Sequence, residues 1–496
     1  MTSEQIYWKE RASTLYIEAR AYIDGAYVDA ISGQTFDCIN PATGRSIATV
    51  ASCDAADVDR AVKSGRRAFE SGEWSRVNPL ERKRVLQRFS SLLLEHREEL
   101  ALLESLNIGK PITNAFNGDI ISSATTLQWY AEAIDKVYGE VAQSGHEMTT
   151  MVIREPLGVV AAVVPWNYPL SMACWKLGPA LAAGNSVILK PAEQSPLTAI
   201  RIAALATQAG IPKGVLNVLP GYGETAGKAL GLHMDVDAVA FTGSTAVGKL
   251  FMQYAGQSNI KRVGLECGGK SPHIVLADCD DLDAAARSVA AGIFANAGQV
   301  CNAGSRLIVD TRIAEAFLER VVEHAANLPP GDPLDPATRL GAIVSQKQLD
   351  RVSSYIQSGK IEGARLLIGG ERTLTETGGY FLSPTVFAGV TQGMRIARDE
   401  IFGPVLSAIT VSGLEEAIAV ANNTSYGLAA GIWTQNVKSA LHASRMLRAG
   451  VVWVNCFDRG SMAAPFGGFK QSGFGRDKSL HAFDKYTDWK SIWMAH

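Results

Sequence analysis

The spacing of apolar residues changes near residue 157, and the predicted structure changes with it. Between residues 57 and 104, apolar residues recur at helical spacing among charged ones, which predicts helices. Asp24-Gly25 stands between two short apolar runs and predicts a tight hairpin over residues 22–28. From residue 157 onwards, short apolar runs alternate with helical stretches, which predicts a doubly wound, mostly parallel α/β sheet.

The alternating region divides into two blocks. In the first block, strands are predicted at residues 158–164, 186–189, 215–219 and 236–241, and helices at 170–182, 195–208, 225–232 and after 243. In the second block, from about residue 271, the pattern predicts a helix at 282–297 and strands at 306–309 and 451–454. Ligands bind such sheets at the carboxyl ends of the strands, so the residues that follow each strand are candidates for chemistry.

Two further segments raise the questions of a membrane span and of a contact with another subunit. Residues 157–189 carry a single charge, Lys176, but prolines and asparagines divide this stretch into pieces shorter than a bilayer requires. We therefore expect buried strands and helices there instead of a membrane span. Residues 486–493 alternate apolar and polar side chains like an exposed strand, and an unpaired terminal strand invites pairing with another subunit.

Composition narrows the classes of function. The 496 residues correspond to about three domains of roughly 150 residues each. With 47 Lys+Arg against 49 Asp+Glu, the net charge of −2 argues against nucleic-acid and polybasic membrane partners and indicates a small-molecule partner. Seven scattered cysteines form no C-x-x-C, the histidines form no metal-ligand pattern, and the first residues show no signal-peptide pattern. We expect a cytoplasmic protein without a metal.

A Gly-rich segment follows the predicted strand at 236–241. Gly243-Ser-Thr-Ala-Val-Gly248-Lys249 nearly fits the G-x-x-x-x-G-K-[ST] phosphate loop, but Leu250 replaces the hydroxyl that would hold magnesium. The N-terminus of the following helix would favour a phosphate, although an ordinary strand–helix turn fits the segment equally well. A phosphate-loop NTPase is therefore a competing hypothesis for this sequence.

Two segments are candidates for covalent chemistry. Cys301 follows Gly298-Gln299-Val300 at the end of the predicted helix. Most single cysteines are small buried apolar residues, but polar and glycine neighbours at the end of an element favour a nucleophile. Glu266 ends a strand before Gly268-Gly269-Lys270, where it is either a general base or the ion-pair partner of the lysine.

A side-chain amide stands between two prolines in Pro165-Trp166-Asn167-Tyr168-Pro169. Such an amide can donate a hydrogen bond to an oxyanion, or it can cap the next helix. Two more segments, Lys190-Pro-Ala-Glu193 and Glu400-Ile-Phe402-Gly-Pro-Val405, complete the set. In their order and spacing, all these segments together resemble the aldehyde dehydrogenase superfamily nearly end to end.

The resemblance implies an activity and its residues. Cys301 would be the nucleophile, Glu266 the general base and Asn167 an oxyanion donor in the oxidation of an aldehyde to its carboxylic acid through a thiohemiacetal and a thioester. The implied cofactor is NAD, with NADP possible. The implied cofactor contacts are Pro165, Trp166, Lys190, Ala192, Glu193, Gly223, Gly227, Phe241, Gly243, Ser244, Val247, Gly248, Cys267, Gly268, Glu400 and Phe402. The implied substrate tunnel consists of Tyr168, Met172, Trp175, Ala295, Phe457, Arg459 and Phe466.

The resemblance also implies an architecture that periodicity alone does not give. A Rossmann-type NAD-binding domain would comprise residues 1–136 and 157–267, and an α/β catalytic domain residues 268–480. Residues 137–156 and 481–496 would form a β oligomerisation arm, so that the implied assembly is a homodimer or a homotetramer.

A closer resemblance is to the branch that oxidises gamma-glutamyl-gamma-aminobutyraldehyde and guanidinobutyraldehyde. The segments that carry it are residues 129–141, 174–181 and 466–473. It implies an ω-amino-derived aldehyde of polyamine or arginine breakdown, with a broad-range aliphatic or aromatic aldehyde dehydrogenase as the alternative. Three departures matter: Cys267 adds a second thiol beside the base, Ala295 replaces an aromatic residue of several relatives, and Arg459 argues against a cationic substrate.

Two expectations concern the chemistry of individual groups. The Glu193 carboxylate would accept a hydrogen bond from a ribose hydroxyl and repel a 2′-phosphate, which favours NAD over NADP. A thiol with an ordinary pKa of about 8.5 is partly ionised at neutral pH, so we expect Cys301 to be ready for attack on a carbonyl.

Overall fold

The computed structural model describes residues 2–496, which fold into two α/β blocks, a separate three-stranded sheet and two small two-stranded sheets. The strands are β1 (Ala21–Ile23), β2 (Ala26–Val28), β3 (Thr35–Asn40), β4 (Arg45–Ala51), β5 (Glu140–Ala142), β6 (Met148–Pro156), β7 (Val159–Val163), β8 (Ser186–Lys190), β9 (Leu216–Val218), β10 (Ala238–Gly243), β11 (Arg262–Cys267), β12 (Pro272–Val275), β13 (Arg306–Asp310), β14 (Arg365–Ile368), β15 (Arg372–Thr373), β16 (Phe381–Leu382), β17 (Thr385–Ala388), β18 (Val405–Val411), β19 (Ala429–Trp433), β20 (Val451–Val454), β21 (Gly473–Phe474) and β22 (Thr487–Ala495).

The α-helices connect these strands and cover both large sheets. They are α1 (Ser3–Ser13), α2 (Ala55–Ser71), α3 (Pro79–Glu95), α4 (Arg97–Ile108), α5 (Ile112–Asn114), α6 (Ile120–Ala133), α7 (Pro169–Ala183), α8 (Leu197–Ala209), α9 (Lys228–Leu232), α10 (Thr245–Gln257), α11 (Leu282–Phe294), α12 (Ala314–Ala326), α13 (Gln346–Ile361), α14 (Arg395–Arg398), α15 (Leu414–Asn422) and α16 (Val437–Met446). Within residues 2–496, none of the helices combines the length and the apolar composition that crossing a bilayer requires.

The first sheet confirms the predicted doubly wound block. Its eight strands follow the order β2-β1-β9-β8-β7-β10-β11-β21, and β9, β8, β7, β10 and β11 pair in parallel. The chain winds outward from β7 to β9, then crosses back to β10, so the direction of winding reverses between β7 and β10. Parallel sheets bind ligands in the crevice at such a reversal, beyond the carboxyl ends of the strands.

The second sheet has seven strands in the order β14-β17-β18-β13-β12-β19-β20. All of its neighbours pair in parallel except β14, which runs antiparallel to β17. Helices α11 and α12 pack against one face of this sheet through an apolar cluster that includes Phe294, Phe317 and Val321. The two blocks are not separate in sequence, because β21, from the segment predicted as catalytic, pairs with β11 of the first sheet.

The tail strand differs from the expectation of an unpaired strand. β22 runs antiparallel to β6 over nine residues, from Thr487 opposite Pro156 to Ala495 opposite Met148, in a sheet of order β22-β6-β5. Residues 480–485, predicted in part as arm, form a 3₁₀ turn with Ala482 and Phe483 in the core. Within this chain, β22 is therefore an edge strand with one side paired.

Local conformation explains where the predicted helices were too long. Residues 57–104 contain three helices because the chain turns at Gly72, in the left-handed region with φ 85°, and again at His96. The helix predicted to reach residue 297 ends at Phe294, since Asn296 and Ala297 adopt φ 48° and 54°. Left-handed backbone cannot continue a right-handed helix.

The two blocks and the tail meet at a buried carboxylate. Asp477 has an Oδ2 that accepts a hydrogen bond from Lys176 of α7 at 2.5 Å, and its Oδ1 is paired with Lys485 of the 3₁₀ turn. All three groups are buried or nearly so. Burial by itself raises the pKa of the Asp477 carboxyl, but the two ammonium groups outweigh burial and hold the pKa below its ordinary value.

We predict that Asp477→Asn destabilises the fold strongly. The change leaves two buried ammonium groups without their carboxylate, and breaking a buried pair in this way costs about 3–5 kcal/mol. Urea unfolding followed by tryptophan fluorescence measures the loss. The matched control is Asp484→Asn, whose carboxylate is 55% exposed and pairs with Arg154 at the surface. A loss for Asp477→Asn no larger than that of the control would show that the cluster does not hold the fold.

Candidate active site

Residues that follow strands of both sheets converge on one cavity of about 570 Å³. The crevice beyond β7, β10 and β11 forms one side of it, and the loop that contains Cys301 forms the other. The structure brings together fifteen of the residues predicted from the sequence: Pro165, Trp166, Asn167, Tyr168, Met172, Trp175, Gly243, Ser244, Glu266, Cys267, Gly268, Cys301, Glu400, Phe402 and Phe466.

A second group of predicted residues flanks this cavity without lining it. Most of them belong to the same edge of the first sheet: Lys190, Ala192, Glu193, Gly223, Gly227, Val247 and Gly248. Lys190 is buried, with its Nζ 3.7 Å from Glu193 Oε2. Phe241 is buried beneath Gly243, where a Cβ at residue 243 would lie 2.5 Å from the phenyl ring. Phe241 thus supports the turn from inside the core.

Three residues predicted for the substrate tunnel do not line this cavity. Phe457 stacks on His273, with ring centroids 4.4 Å apart. Arg459 is exposed, and its carbonyl oxygen accepts a hydrogen bond from Trp453 Nε1 at 2.7 Å. Ala295 lines a separate cavity of about 380 Å³, which shares Tyr168 and Asp119 with the main one.

The loop that contains Cys301 is fixed by the buried amide of Gln299. Its Nε2 donates to the carbonyl oxygens of Asn296 at 3.0 Å and Ala342 at 3.2 Å, while its Oε1 accepts from the Val344 N–H at 2.9 Å. Every polar atom of this amide is therefore engaged with backbone on both sides of the loop. Three hydrogen bonds of the Gln299 amide therefore hold the backbone that positions Cys301 at the cavity.

Asn167 is connected to the same loop. Its Nδ2 donates to the carbonyl oxygen of Gln299 at 2.8 Å, and its own carbonyl oxygen accepts from Asn296 Nδ2 at 2.9 Å. Helix α7 begins next to it without a side-chain capping hydrogen bond. An amide nitrogen carries two hydrogens, so one N–H fixes the side chain while the other is available to an oxygen in the cavity.

Glu266, at the end of β11, faces the cavity as a buried carboxyl. Only 4% of the residue is exposed, and its Oε1 lacks a hydrogen-bond partner within residues 2–496. The ion pair with Lys270 considered from the sequence is not formed, since the Lys270 ammonium also lacks a partner there. Burial, assisted by the negative charge of Asp477, raises the pKa of Glu266 to about 8. At neutral pH this carboxyl is mostly protonated, and it becomes a base as the pH rises through about 8.

The Cys301 thiol differs from the expectation of partial ionisation. Burial raises its pKa well above the ordinary value, and the charges of Glu266, Glu400 and Asp458 raise it further. The backbone N–H of Asn302 opposes these effects by donating to the sulfur. The thiol is therefore protonated at neutral pH, and a base must remove its proton as it reacts.

The opposite end of the cavity combines a helix N-terminus with a carboxylate. Gly243 and Ser244 line the cavity immediately before α10, and the Ser244 hydroxyl caps this helix by accepting from the Val247 N–H. The helix N-terminus favours an anion such as a phosphate. A Cβ at Gly268 would lie 2.0 Å from Glu400 Oε1, so a side chain at residue 268 would displace this carboxylate from its present position. Burial raises the pKa of Glu400 to about 7.

Several lining residues were not predicted from the sequence. They are Asp119, Ser122, Ser171, Gln194, Thr242, Val300, Asn302, Val344, Ser345, Lys347, Gln348, Arg351, Asp458 and Lys478. Val300 and Asn302 could have been predicted because they flank Cys301, and Thr242 because it precedes Gly243. Asp458 and Lys478 carry no local signal, because tertiary folding alone brings them to the cavity. Among residues 2–496, no group of three or more His, Cys, Asp or Glu side chains is placed to hold a metal ion.

Comparisons with known proteins identify similar chains over nearly the whole length. The model of the aldehyde dehydrogenase family matches residues 27–492. The NADP/NAD-dependent aldehyde dehydrogenase PuuC of Escherichia coli is 50% identical over 489 residues, which cover 99% of this chain and 98% of that protein. A solved structure of an indole-3-acetaldehyde dehydrogenase with NAD+ is 60% identical, with a TM-score of 0.99 and full coverage of both chains. The structure of a gamma-glutamyl-gamma-aminobutyraldehyde dehydrogenase from Burkholderia cenocepacia J2315 is 57% identical, with a TM-score of 0.97 and 99% coverage of both chains.

We predict that alkylation of Cys301 by iodoacetamide accelerates beyond pH 9, because its raised pKa keeps the thiol protonated below that pH. In Glu266→Gln, the loss of a nearby negative charge lowers the pKa of Cys301, so alkylation at pH 9 becomes severalfold faster. Mass spectrometry of the Cys301 peptide measures the rate, and the Cys456 peptide of the same digest is the control. Equal Cys301 rates in the two proteins would contradict the coupling between these groups.

Proposed function

Because the chain belongs to the aldehyde dehydrogenase family, we propose that Cys301 is its nucleophile, Glu266 its general base and Asn167 its oxyanion donor. The chain is an NAD(P)-dependent aldehyde dehydrogenase, which oxidises an aldehyde to its carboxylic acid. The observation that carries the assignment of residues is the single cavity in which the three side chains meet. The competing phosphate-loop NTPase lacks support, since Lys249 and Leu250 are both exposed at the surface of α10.

In the first half of the reaction, the Cys301 sulfur forms a bond to the aldehyde carbon. The thiol proton passes to the Glu266 carboxylate, and the carbonyl electrons move onto the oxygen, which the available N–H of Asn167 stabilises. A preorganised donor of this kind lowers a barrier by about 2.7–4 kcal/mol. Bound NAD(P) would supply the hydride acceptor. As the hydride leaves the carbon attached to Cys301, the carbon–oxygen double bond re-forms, and Cys301 holds the acyl group as a thioester.

In the second half, water attacks the thioester carbon. Glu266 first releases the thiol proton to solvent and then takes a proton from this water, while the carbon–sulfur bond breaks. Cys301 leaves as a thiolate and takes up a proton. Only the ionised form of Glu266 acts as a base, and burial raises its pKa to about 8. The rate of hydrolysis therefore rises with pH up to and through about 8.

The residues around the crevice fit a dinucleotide. Gly243 and Ser244 at the N-terminus of α10 would face the pyrophosphate, Lys190 and Glu193 would bind the adenosine ribose, and Glu400 and Phe402 would bind the nicotinamide ribose and ring. The further contacts that we propose are Pro165, Trp166, Ala192, Gly223, Gly227, Phe241, Val247, Gly248, Cys267 and Gly268. A Cβ at Gly223 would meet no atom within 4 Å, which leaves room for a ligand at that turn. The Glu193 carboxylate favours NAD over NADP.

For the substrate, we propose an ω-amino-derived aldehyde. Support comes from the 57% identical structure whose name specifies gamma-glutamyl-gamma-aminobutyraldehyde. A second candidate is an arylacetaldehyde, favoured by the rings of Tyr168, Trp175 and Phe466 along the cavity and by the 60% identical indole-3-acetaldehyde dehydrogenase. We also propose a cytoplasmic location, which the seven free cysteines support.

We predict that the purified protein reduces NAD with N-acylated 4-aminobutanal and with phenylacetaldehyde, and that the ratio of the two kcat/KM values decides between the candidates. Absorbance of NADH at 340 nm measures the rate, and repeating the assay with NADP measures cofactor preference. Cys301→Ala is the control. It should lose all turnover while it still binds NADH, since the sulfur is not part of the proposed cofactor site. Turnover by Cys301→Ala near the wild-type rate would exclude Cys301 as the nucleophile.

We further propose that residues 137–156 and 481–496 form an oligomerisation arm beside an NAD-binding domain (residues 1–136 and 157–267) and a catalytic domain (residues 268–480). Apolar side chains on the three-stranded sheet support the arm: Val141 is 76% exposed and Trp493 is 64% exposed. Both β22 and β5 are edge strands, with backbone groups free to pair with a second copy. A homodimer or a homotetramer would cover these surfaces.

We predict that Trp493→Asp with Val141→Asp converts the oligomer into monomers. The two charges would have to be buried in the interface, which opposes association. Light scattering after size-exclusion chromatography gives the mass, for which one chain is 53.0 kDa. Lys249→Asp on the surface of α10 serves as the control. An unchanged mass in the double variant would place the interface elsewhere.

A further inference from the structure

A lysine lies at the end of the cavity that is lined by the aromatic side chains of the proposed substrate tunnel. Lys478 lines the cavity, and its Nζ is 4.5 Å from the centroid of the Trp175 ring and 5.5 Å from that of Phe466. The two rings pack edge to face, with centroids 5.4 Å apart. The Lys478 ammonium thus lies over two aromatic walls of the proposed tunnel.

The backbone holds Lys478 in this place. Both Lys478 and Ser479 adopt left-handed φ angles, of 58° and 50°, which non-glycine residues rarely adopt in succession. The strain is maintained by anchors on both sides. Asp477 exchanges two backbone hydrogen bonds with Phe466, at 2.7 and 2.8 Å, and the Ser479 N–H donates to the Met462 carbonyl at 2.7 Å. The backbone of Lys478 is therefore fixed at the cavity wall.

The charge of Lys478 is not matched by an ion pair. Asp477 already binds Lys176 and Lys485. Asp458 lines the same cavity and accepts a hydrogen bond from the neutral Asn302 amide at 2.7 Å, so it acts on Lys478 only through space. Within residues 2–496, the Lys478 ammonium forms neither a salt bridge nor a hydrogen bond, only the two contacts with aromatic rings.

Two other cations line the cavity, Lys347 and Arg351, and they belong to the cofactor end. Both stand on α13, and Arg351 Nη2 donates to the Glu400 carbonyl at 2.9 Å. Lys478 is thus the cation that a substrate tail meets. Aromatic faces attract cations, but the Lys478 ammonium already occupies these faces. A substrate with an ammonium tail would therefore be repelled by the like charge of Lys478. A carboxylate tail would gain a charge-assisted hydrogen bond.

We infer that Lys478 selects substrates by the charge of their tail, favouring aldehydes with a carboxylate distal to the carbonyl over aldehydes with a free cationic group. This inference rests on the proposed aldehyde oxidation at Cys301. It sharpens the proposed substrate, since an ω-amino-derived aldehyde would bind with its nitrogen acylated and its acyl group bearing the carboxylate. Lys478 would contact the substrate tail and not the reacting atoms, so its substitution should change KM more than kcat.

The test compares three aldehydes of similar length: 4-oxobutanoate, pentanal and 4-trimethylammoniobutanal, none of which cyclises through a free amine. We expect the wild-type protein to prefer the carboxylate to the cation by about tenfold or more in kcat/KM, which corresponds to about 1.4 kcal/mol. Lys478→Met should abolish most of this ratio, chiefly through KM, and Lys478→Arg should keep it. Pentanal should change far less than the ratio. Lys438→Met, on the exposed surface of α16, is the control that should leave all three values unchanged.

A second measurement does not depend on the folding of any variant. In the wild-type protein, butanedioate should inhibit pentanal oxidation competitively at a lower concentration than 4-trimethylammoniobutanoate, since both carry the carboxylate of a product and they differ in the charge of the tail. An equal or stronger effect of 4-trimethylammoniobutanoate would overturn the role of Lys478. Normal pentanal oxidation by Lys478→Met with an unchanged ratio of charged substrates would overturn it as well. Failure of the wild-type protein to oxidise pentanal or either charged aldehyde would instead overturn the proposed function itself.

Discussion

The buried carboxylate of Asp477 is the interaction on which the arrangement of the cavity depends. It joins α7 of the first block, through Lys176, to the turn before the tail strand, through Lys485. Its backbone pairs with Phe466, and its neighbour Lys478 forms part of the cavity wall. Its charge also raises the pKa of Glu266, while the two lysines oppose that effect. One group thus sets the position of the substrate wall and the electrostatic environment of the proposed base.

The second constraint is the closure of the Cys301 loop by polar groups. The loop contains strained backbone at Asn296 and Ala297, and the Gln299 amide compensates by satisfying backbone groups on both sides. Asn167, which belongs to the first block, binds the carbonyl of Gln299 in the second. The loop of the proposed nucleophile and the proposed oxyanion donor are therefore held together by a hydrogen bond that crosses the two blocks.

The sequence predicted the parts of the site that have local signals. Apolar alternation predicted the strands of the first sheet, and glycine and proline patterns identified Gly243, Asn167 and the neighbours of Cys301. The end of α11 was wrong by three residues, because the left-handed turn at Asn296 and Ala297 involves residues with no strong preference for it. Phe457 and Arg459 were assigned to the tunnel by the family resemblance. Phe457 stacks on His273 and Arg459 is exposed, which no local sequence pattern indicates. Lys478 was missed because its role depends on Trp175, some 300 residues away along the chain. Ionisation was also beyond the sequence, since burial reverses the ordinary behaviour of Cys301 and Glu266.

The close approach of Gly268 to the Glu400 carboxylate has a consequence for how this enzyme can diverge. Any side chain at residue 268 would overlap both carboxylate oxygens, so the Glu400 side chain would have to move away from the Gly269 N–H from which it accepts. A mutation at residue 268 therefore changes two residues of the cavity at once. The Lys478 ammonium contacts only aromatic rings, so a change there displaces no hydrogen-bonded group. New substrate ranges should therefore arise at the aromatic end of the cavity, while the glycine–carboxylate corner stays constant among descendants.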